Sequence, residues 1–273
     1  MSFSVLLSVY NKENPIYFEE SLKSIINQSL VPSEIVLVKD GPLNAALDKI
    51  VNQFQVLYPN LFQVISLKNN VGLGEALRIG VEHCSNEIVA RMDTDDISLP
   101  FRFERQINIM ESDPTISVLG SWIAEFDDEP SEIKTIRKVP LNYEEIKKKA
   151  RYRNPLNHMS VVFRKSAVIE AGNYKPFLWN EDYYLWVRML IKGFKIVNLG
   201  EILLYVRAGE AMFNRRGGLK YLLNEVKLQK EFLDLKFTST NDYVRNIVIR
   251  GSVRVLPNKI RGIIYKSLLR SSH

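Results

Sequence analysis

Three carboxylates stand within four residues at Asp93-Thr94-Asp95-Asp96, directly after the apolar run from Ile88 to Met92. Like charges this close oppose one another's ionisation unless a cation sits among them. A hard divalent ion held by oxygen ligands and shared with substrate phosphates answers that repulsion. An acidic turn capping the next helix is the other reading, since Asp is a favoured N-cap residue. A second acidic pair, Glu181-Asp182, is flanked by Trp179, Tyr183, Tyr184 and Trp186. Asn180 can cap the helix that begins here, and both acids suit its positive end. Aromatic rings beside carboxylates also stack on sugar faces while a carboxylate serves as general base. With the first cluster in the same chain, catalysis is the favoured role.

Other residues lie in comparable places. Asp40-Gly41 can accept hydrogen bonds from a base or ribose, or form an ordinary Asp-Gly turn. Asn70-Val71-Gly72-Leu73-Gly74 precedes a helical stretch, but Leu77 occupies the third glycine position of a dinucleotide fingerprint, so that motif fails. Gly72 and Gly74 let a backbone approach a ligand, and Arg78, farther into the helix, can reach a phosphate or base. A solvated helix arginine is the alternative. Arg215-Arg216-Gly217-Gly218 combines two guanidinium groups with a helix start, a setting for phosphate oxygens. His158 can contact the acceptor or sit hydrogen-bonded in the structure. The single cysteine, Cys84, and three scattered histidines exclude a disulfide framework and give no zinc spacing.

The elements that must position these groups read as strand and helix in alternation. Strands are expected at 3–9, 34–39, 62–67 and 88–92. Helices follow the first three, carrying Leu22 and Ile25, Leu47 and Phe54, and Ala76 and Leu77. This α/β order implies a mostly parallel central sheet with helices on both faces and a ligand crevice beyond the strand carboxyl ends. The acids and amides above fall there. Past Pro100 the character becomes α+β: a helix at 101–111, a strand at 117–126, an acidic loop, and a charged helix at 143–152. A strand at 160–163, a helix at 180–191 and a strand at 203–207 complete this part. The expected division is a catalytic region, 1–215, in two halves (1–99 and 100–215), followed by a helical extension, 216–273.

The 273 residues are 46% apolar and 25% charged, an ordinary globular balance. The net charge of +6 is uneven, because residues 244–273 carry seven cations and no acid. That extension is interleaved with aliphatic residues, which suits an anionic bilayer surface. Its single aromatic gives little for nucleic acid to stack on, so nucleic acid is not an expected partner. A helix packed on its own domain or on a second copy is the alternative. No signal peptide or spanning segment is read, so the expected location is cytoplasmic, peripheral to the inner membrane.

Taken together, Ser4-Val5-Leu6-Leu7-Ser8-Val9-Tyr10-Asn11, Asp40-Gly41, Asn70-x-Gly72-x-Gly74, Asp93-x-Asp95-Asp96 and Asn180-Glu181-Asp182-Tyr183-x-Leu185-Trp186 resemble the inverting family 2 glycosyltransferases of GT-A fold. The order and spacing match over residues 3–210. The texture around Asn157-His158, Leu204-Tyr205-Val206-Arg207 and Arg215-Arg216 is similar to bacterial transferases of O-antigen, amylovoran and exopolysaccharide assembly. The resemblance implies a nucleotide-sugar site of Ser8, Tyr10, Asp40, Asn70, Gly72, Arg78, Asp93, Thr94 and Asp96. It implies Mn2+ or Mg2+ on Asp95 and Asp93, with Asp96 supporting the metal or the donor sugar. Asp182 would be the general base, with Glu181, Trp179 and His158 toward the acceptor. Many relatives carry a histidine after the Tyr-x-Arg strand; here Ala208-Gly209-Glu210 follows, and the leaving diphosphate would rely on Arg207, Arg215 and Arg216.

The reaction so implied moves a hexose, galactose in β1,3 linkage being the specific expectation, from a UDP-sugar to a lipid-diphosphate-linked GlcNAc. Glucose, GlcNAc or a GDP-sugar as donor are alternatives. A nucleotidyltransferase is disfavoured because Tyr10-Asn11-Lys12-Glu13 stands where a Gly-rich, Lys-bearing loop would be. A non-catalytic nucleotide-sugar scaffold would have no need of Asp182.

Overall fold

The structure is a computed structural model that describes residues 2–208 and 219–255. Alternation along β1 (Ser4–Val9) divides the interior in two, because successive side chains of a strand point to opposite faces. Val5, Leu7 and Val9 enter one core, where they meet Phe18, Leu22 and Ile25 of α1 (Pro15–Ile26) and Leu47, Ile50 and Phe54 of α2 (Ala45–Leu57). Leu6 enters the other, with Ala76, Leu77 and Val81 of α3 (Leu73–His83). Each fully buried aliphatic side chain contributes about 1.5–3 kcal/mol, so a one-residue slip of β1 would exchange the two faces and empty both cores.

β1 lies parallel to β2 (Glu34–Lys39) and to β4 (Ile88–Arg91), and β2 lies parallel to β3 (Phe62–Ser66). Val9 pairs with Lys39, and Lys39 with Ser66, so the carboxyl ends of three strands finish level. This sets Tyr10, Asp40 and the segment after Ser66 along one rim. Asn14 caps α1 through its side chain and Pro15 occupies the first turn, fixing the loop that leaves β1.

The second half departs from parallel order. β8 (Val162–Arg164) inserts antiparallel between β4 and β6 (Ile116–Phe126), and β6 then pairs in parallel with β9 (Lys195–Arg207). β9 also receives the two-residue β5 (Ile97–Ser98), giving the order β3-β2-β1-β4-β8-β6-β9-β5. β7 (Ile133–Arg137) adds to β6, so part of the expected acidic loop is a strand of the nine-stranded sheet. The expected strand at 160–163 begins later, because His158–Ser160 forms a short 3-10 turn. The expected strand at 203–207 begins at Lys195.

Helices α4 (Arg102–Ser112), α5 (Tyr143–Ala150), α6 (Lys165–Glu170) and α7 (Glu181–Ile191) fill the second half. The last described elements are α8 (Leu219–Asp234) and α9 (Thr240–Val255). Buried polar bonds join this pair: Asn246 Nδ2 donates to Gln229 Oε1 and to the Arg151 carbonyl, both at 2.8 Å. Arg250 also pairs with the buried Glu225 at 2.8 Å. No helix among the described residues is long and apolar enough to cross a membrane.

Candidate active site

The turn after β4 carries the acidic cluster. One ligand oxygen from each of Asp93, Asp95 and Asp96 can be chosen so that all lie within 4.8 Å of one another. Asp96 is buried, and burial, followed by the charges of Asp95 and Asp93, pushes its carboxyl well above the usual range. Its Oδ1 accepts from the Arg207 amide at 3.2 Å, while its buried Oδ2 has no hydrogen-bond partner. A buried carboxylate oxygen without a donor, beside two more carboxylates, is a set that fits a divalent cation bound through oxygen.

Arg91, the last residue of β4, lies beneath the cluster and forms an ion pair with Asp93. Burial works against its charge, but the Asp93 carboxylate outweighs that cost and holds the guanidinium ionised. Arg102 of α4 spans from below, its Nη2 donating to the Arg91 carbonyl at 2.7 Å and to the Met159 carbonyl at 3.1 Å. The Ser21 hydroxyl of α1 donates to the Asp93 carbonyl at 3.0 Å. Thr94 is buried within this turn.

Arg207, expected toward a leaving diphosphate, is engaged by the protein around the aspartate turn. Its Nε donates to the Asp95 carbonyl at 3.3 Å, Nη1 to the Asp128 carbonyl at 3.0 Å and Nη2 to Glu20 at 2.5 Å. The guanidinium also lies over Tyr17 at 3.8 Å. Arg207 thus holds the aspartate turn in place, a role available because β9 ends beside β5. Arg215 and Arg216 lie outside the described residues.

Asp40, at the end of β2, shapes the neighbouring loop. Its carboxylate accepts from the amides of Val71 at 2.7 Å and Gly72 at 3.1 Å, and Asn70 Nδ2 donates to its carbonyl at 3.2 Å. Each carboxylate oxygen carries a further lone pair, so these bonds leave capacity for a ligand donor. Gly41 makes the approach possible: its φ is +88°, and a Cβ there would stand 2.7 Å from the Asn70 nitrogen. Gly41→Ala is expected to destabilise the fold by about 1–3 kcal/mol, read as a lowered urea midpoint with an unchanged m-value. Ser8 and Tyr10 stand partly buried on the same rim.

Arg78 is turned along its own helix. It bonds to Glu75 at 2.7 Å and to Glu82 at 2.7 Å, the arrangement of a solvated helix arginine. His158 is likewise held by the protein, its Nε2 2.9 Å from the Tyr174 hydroxyl. Burial, with the nearby Arg91 charge, keeps its imidazole well below the ordinary value and therefore neutral.

Glu181 and Asp182 open α7, and both are buried. Asn180 precedes them without a side-chain cap, and its Nδ2 is buried without a partner. Its φ of −137° differs from the capping geometry expected, and the backbone at the start of the helix favours the charged form of both acids. Asn154 Nδ2 donates to Asp182 Oδ2 at 2.6 Å, fixing that carboxylate. Burial raises both acids, and burial together with the Asp182 charge brings Glu181 to about 7. A Cβ on Gly74 would lie 3.0 Å from Glu181 Cβ, so the start of α3 packs directly against these acids. Glu181 also feels the charge of Asp93, which brings the two acidic groups into one electrostatic field. Trp179 is half exposed, has a left-handed φ of +64°, and stacks on Tyr221 of α8 at 4.8 Å.

The raised Glu181 has a stability consequence of definite sign. Between about 4.5 and about 7 the native carboxyl holds a proton that the unfolded chain releases, so ionisation destabilises the fold as pH rises. Glu181→Gln removes that term. In metal-free protein its stability relative to wild type should improve by about 2–3 kcal/mol from pH 4.5 to 7.5, measured by urea unfolding at both pH values.

Three cations missed in the sequence form a group, of which Arg137 acts on the charge of Asp182. Arg137 at the end of β7, Lys149 of α5 and Arg153 beyond it influence one another: burial, then Arg153 and Arg137, lower the Lys149 pKa. Arg137 also favours ionised Asp182. Arg91 had a legible signal, a charge closing an apolar strand next to acids. The convergence of Arg137, Lys149 and Arg153 had none, because it depends on β7.

A family model described as Glycosyl transferase family 2 matches residues 4–172. The amylovoran biosynthesis glycosyltransferase AmsE of Erwinia amylovora is 43% identical over 264 residues, covering 97% of this chain and 98% of that relative. The UDP-Gal:alpha-D-GlcNAc-diphosphoundecaprenol beta-1,3-galactosyltransferase of Escherichia coli is 35% identical over 268 residues, covering 98% and 96%. Among solved structures, S. aureus TarS 1-349 in complex with UDP-GlcNAc superposes with a TM-score of 0.65 at 19% identity, covering 85% of this chain and 67% of that one. The mannosyltransferase PcManGT of Pyrobaculum calidifontis, in complex with GDP-Man and Mn2+, gives 0.59 at 15%, covering 97% and 79%. At these identities the structures speak for the fold, which is GT-A. A family match over more than half of the chain, with relatives at 43% and 35% identity along nearly all of it, makes this protein a member of glycosyl transferase family 2.

Proposed function

We propose that this protein transfers a hexose from a UDP-sugar to a lipid-diphosphate-linked sugar with inversion, in assembly of a surface polysaccharide. Galactose transferred in β1,3 linkage to GlcNAc is the specific form, supported by the activity for which the Escherichia coli relative is named. The observation that carries the proposal is that two acidic groups share one electrostatic field, Glu181 feeling the charge of Asp93. Asp93, Asp95 and Asp96 close the end of β4, and the buried Glu181-Asp182 pair opens α7.

Asp182 is the general base. Burial makes its carboxylate a stronger proton acceptor than an exposed aspartate, and the 2.6 Å bond from Asn154 fixes which oxygen remains available. It takes the proton of the acceptor hydroxyl as that oxygen bonds to the anomeric carbon and the nucleoside diphosphate departs on the opposite face. Glu181 borders the acceptor and Trp179 offers its ring to a sugar face. Asp40 and the Asn70-Gly72 loop receive the nucleoside. Asp93 and Asp95, with Asp96 in support, would hold Mn2+ or Mg2+, which when bound offsets the charge of the leaving diphosphate. Arg137, which acts on Asp182 and is grouped with Lys149 and Arg153, supplies positive charge toward an acceptor diphosphate.

A membrane-surface location fits such an acceptor. α9 exposes Val244, Val248 and Ile249, and the seven-cation segment runs through it to the chain end, where residues 256–273 lie outside those described. The reading is tested by incubating the protein with Mn2+, a panel of UDP- and GDP-sugars and a synthetic GlcNAc-diphosphate-lipid. Acceptor-dependent release of UDP from UDP-galactose is expected. Binding of UDP without release from any donor would favour the scaffold instead.

A further inference from the structure

A cavity of about 460 Å³ lies at the other end of α7 from Asp182, between α5, α7 and the turn joining α8 to α9. The helix climbs from Asp182 at its start to the lining residue Ile191 at its end, about 14 Å at the usual rise. It is therefore a place distinct from the transfer site. Its wall carries Lys147, Lys148, Arg151 and Lys236 against one acid, Glu144. Among the described residues, Lys148 and Lys236 form no ion pair, and the buried Arg151 Nε has no hydrogen-bond acceptor. Arg151 is otherwise paired through Nη2 with Asp242 at 3.0 Å.

The remaining lining is apolar, and part of it faces outward: Ile191 is 44% exposed and Leu235 38%. A small hydrophilic anion would use the cations and leave these side chains in water. A phosphodiester at the head of an apolar chain matches both parts, since lysine stems and aliphatic rims lie along the interface while the charges meet phosphate. The cavity is also continuous with the turn leading into α9, whose exposed Val244, Val248 and Ile249 provide further apolar surface. We propose that this cavity seats the headgroup of an anionic phospholipid and so anchors the α5–α7 side of the protein to the bilayer. The proposal deepens the membrane-surface reading, and its test uses neither donor nor acceptor, so it can fail while sugar transfer stands.

The test is sedimentation of the full chain with phosphatidylglycerol-containing vesicles, compared with pure phosphatidylcholine vesicles. Lys148→Gln/Lys236→Gln should weaken binding to the anionic vesicles about 30-fold. A control pair of equal charge change away from the cavity, Lys49→Gln/Lys134→Gln, should stay near wild type. All four lysines are exposed, so the fold is retained, which thermal melting checks. Equal losses in both pairs, or none in the cavity pair, would overturn the proposal. Inorganic phosphate titrated into the wild type supplies the second arm: tight binding lost in the cavity pair, with vesicle binding intact, would make this a free-anion site and overturn it also.

Discussion

Asp182→Asn is expected to lower kcat for sugar transfer by about 10²–10⁴-fold and to leave UDP affinity nearly unchanged. The amide keeps the shape of the carboxylate but cannot accept the proton of the attacking hydroxyl. Donor binding is expected to be spared because Asp182 sits at the start of α7, whereas the loop of Asp40 and Asn70, proposed for the nucleoside, lies at the ends of β2 and β3. Loss of folding would not explain such a result. Burial already disfavours the charged form of this side chain, so a neutral isostere suits the site and its melting temperature should hold or rise. Steady-state kinetics, calorimetric titration with UDP and a thermal melt on the same preparation separate the three quantities. A fall in donor affinity equal to the fall in kcat would remove Asp182 from the role of base.

Asp95→Ala is expected to cost about 10³-fold in kcat/KM, the equivalent of several kcal/mol of lost metal-assisted stabilisation. Mn2+ titration should register the loss of binding directly. The metal-free variant should be at least as stable as wild type, because removing this charge relieves the neighbouring Asp96 carboxyl, whose ionisation burial and the Asp95 charge oppose. Asp93→Ala provides the contrast. Asp93 is the partner of the buried Arg91, and stripping it leaves a guanidinium with Nε and Nη1 already unpaired. That variant is expected to lose about 3 kcal/mol of stability together with metal affinity. Two aspartates two residues apart thus have opposite effects on the empty fold, and urea unfolding in a chelator distinguishes them.

Local pattern accounts for the parts that were readable from residues alone. The expected apolar positions of α2, Leu47 and Phe54, are buried, and β2 has the expected bounds. These elements are amphipathic or uniformly apolar, so their periodicity is strong. β7 is weakly marked, five residues behind an acidic stretch, and it exists because the edge of β6 offers a partner. β5 has two residues and no periodicity at all. The same distinction governs the site. Carboxylates adjacent in sequence, such as Asp95-Asp96 and Glu181-Asp182, announce themselves, whereas contacts made through tertiary folding do not. Arg207 is 112 positions from Asp95 yet bonds to its carbonyl, and Asn154 is 28 from the Asp182 it orients. His158 and Arg78 illustrate the reverse: both residue types can bind phosphate, but Tyr174 and the glutamates on α3 engage them.

The most direct measurement is the anomeric configuration of the product. UDP-galactose carries its sugar in α linkage, so displacement driven from the Asp182 face must give a β-linked galactose. Proton NMR of the product formed on a GlcNAc-diphosphate-lipid reads this from the coupling constant of the anomeric proton. A single β-anomeric doublet with the large coupling of a diaxial pair is the predicted result. An α-linked product would contradict it, because retention of configuration is incompatible with Asp182 acting as the base of a single displacement.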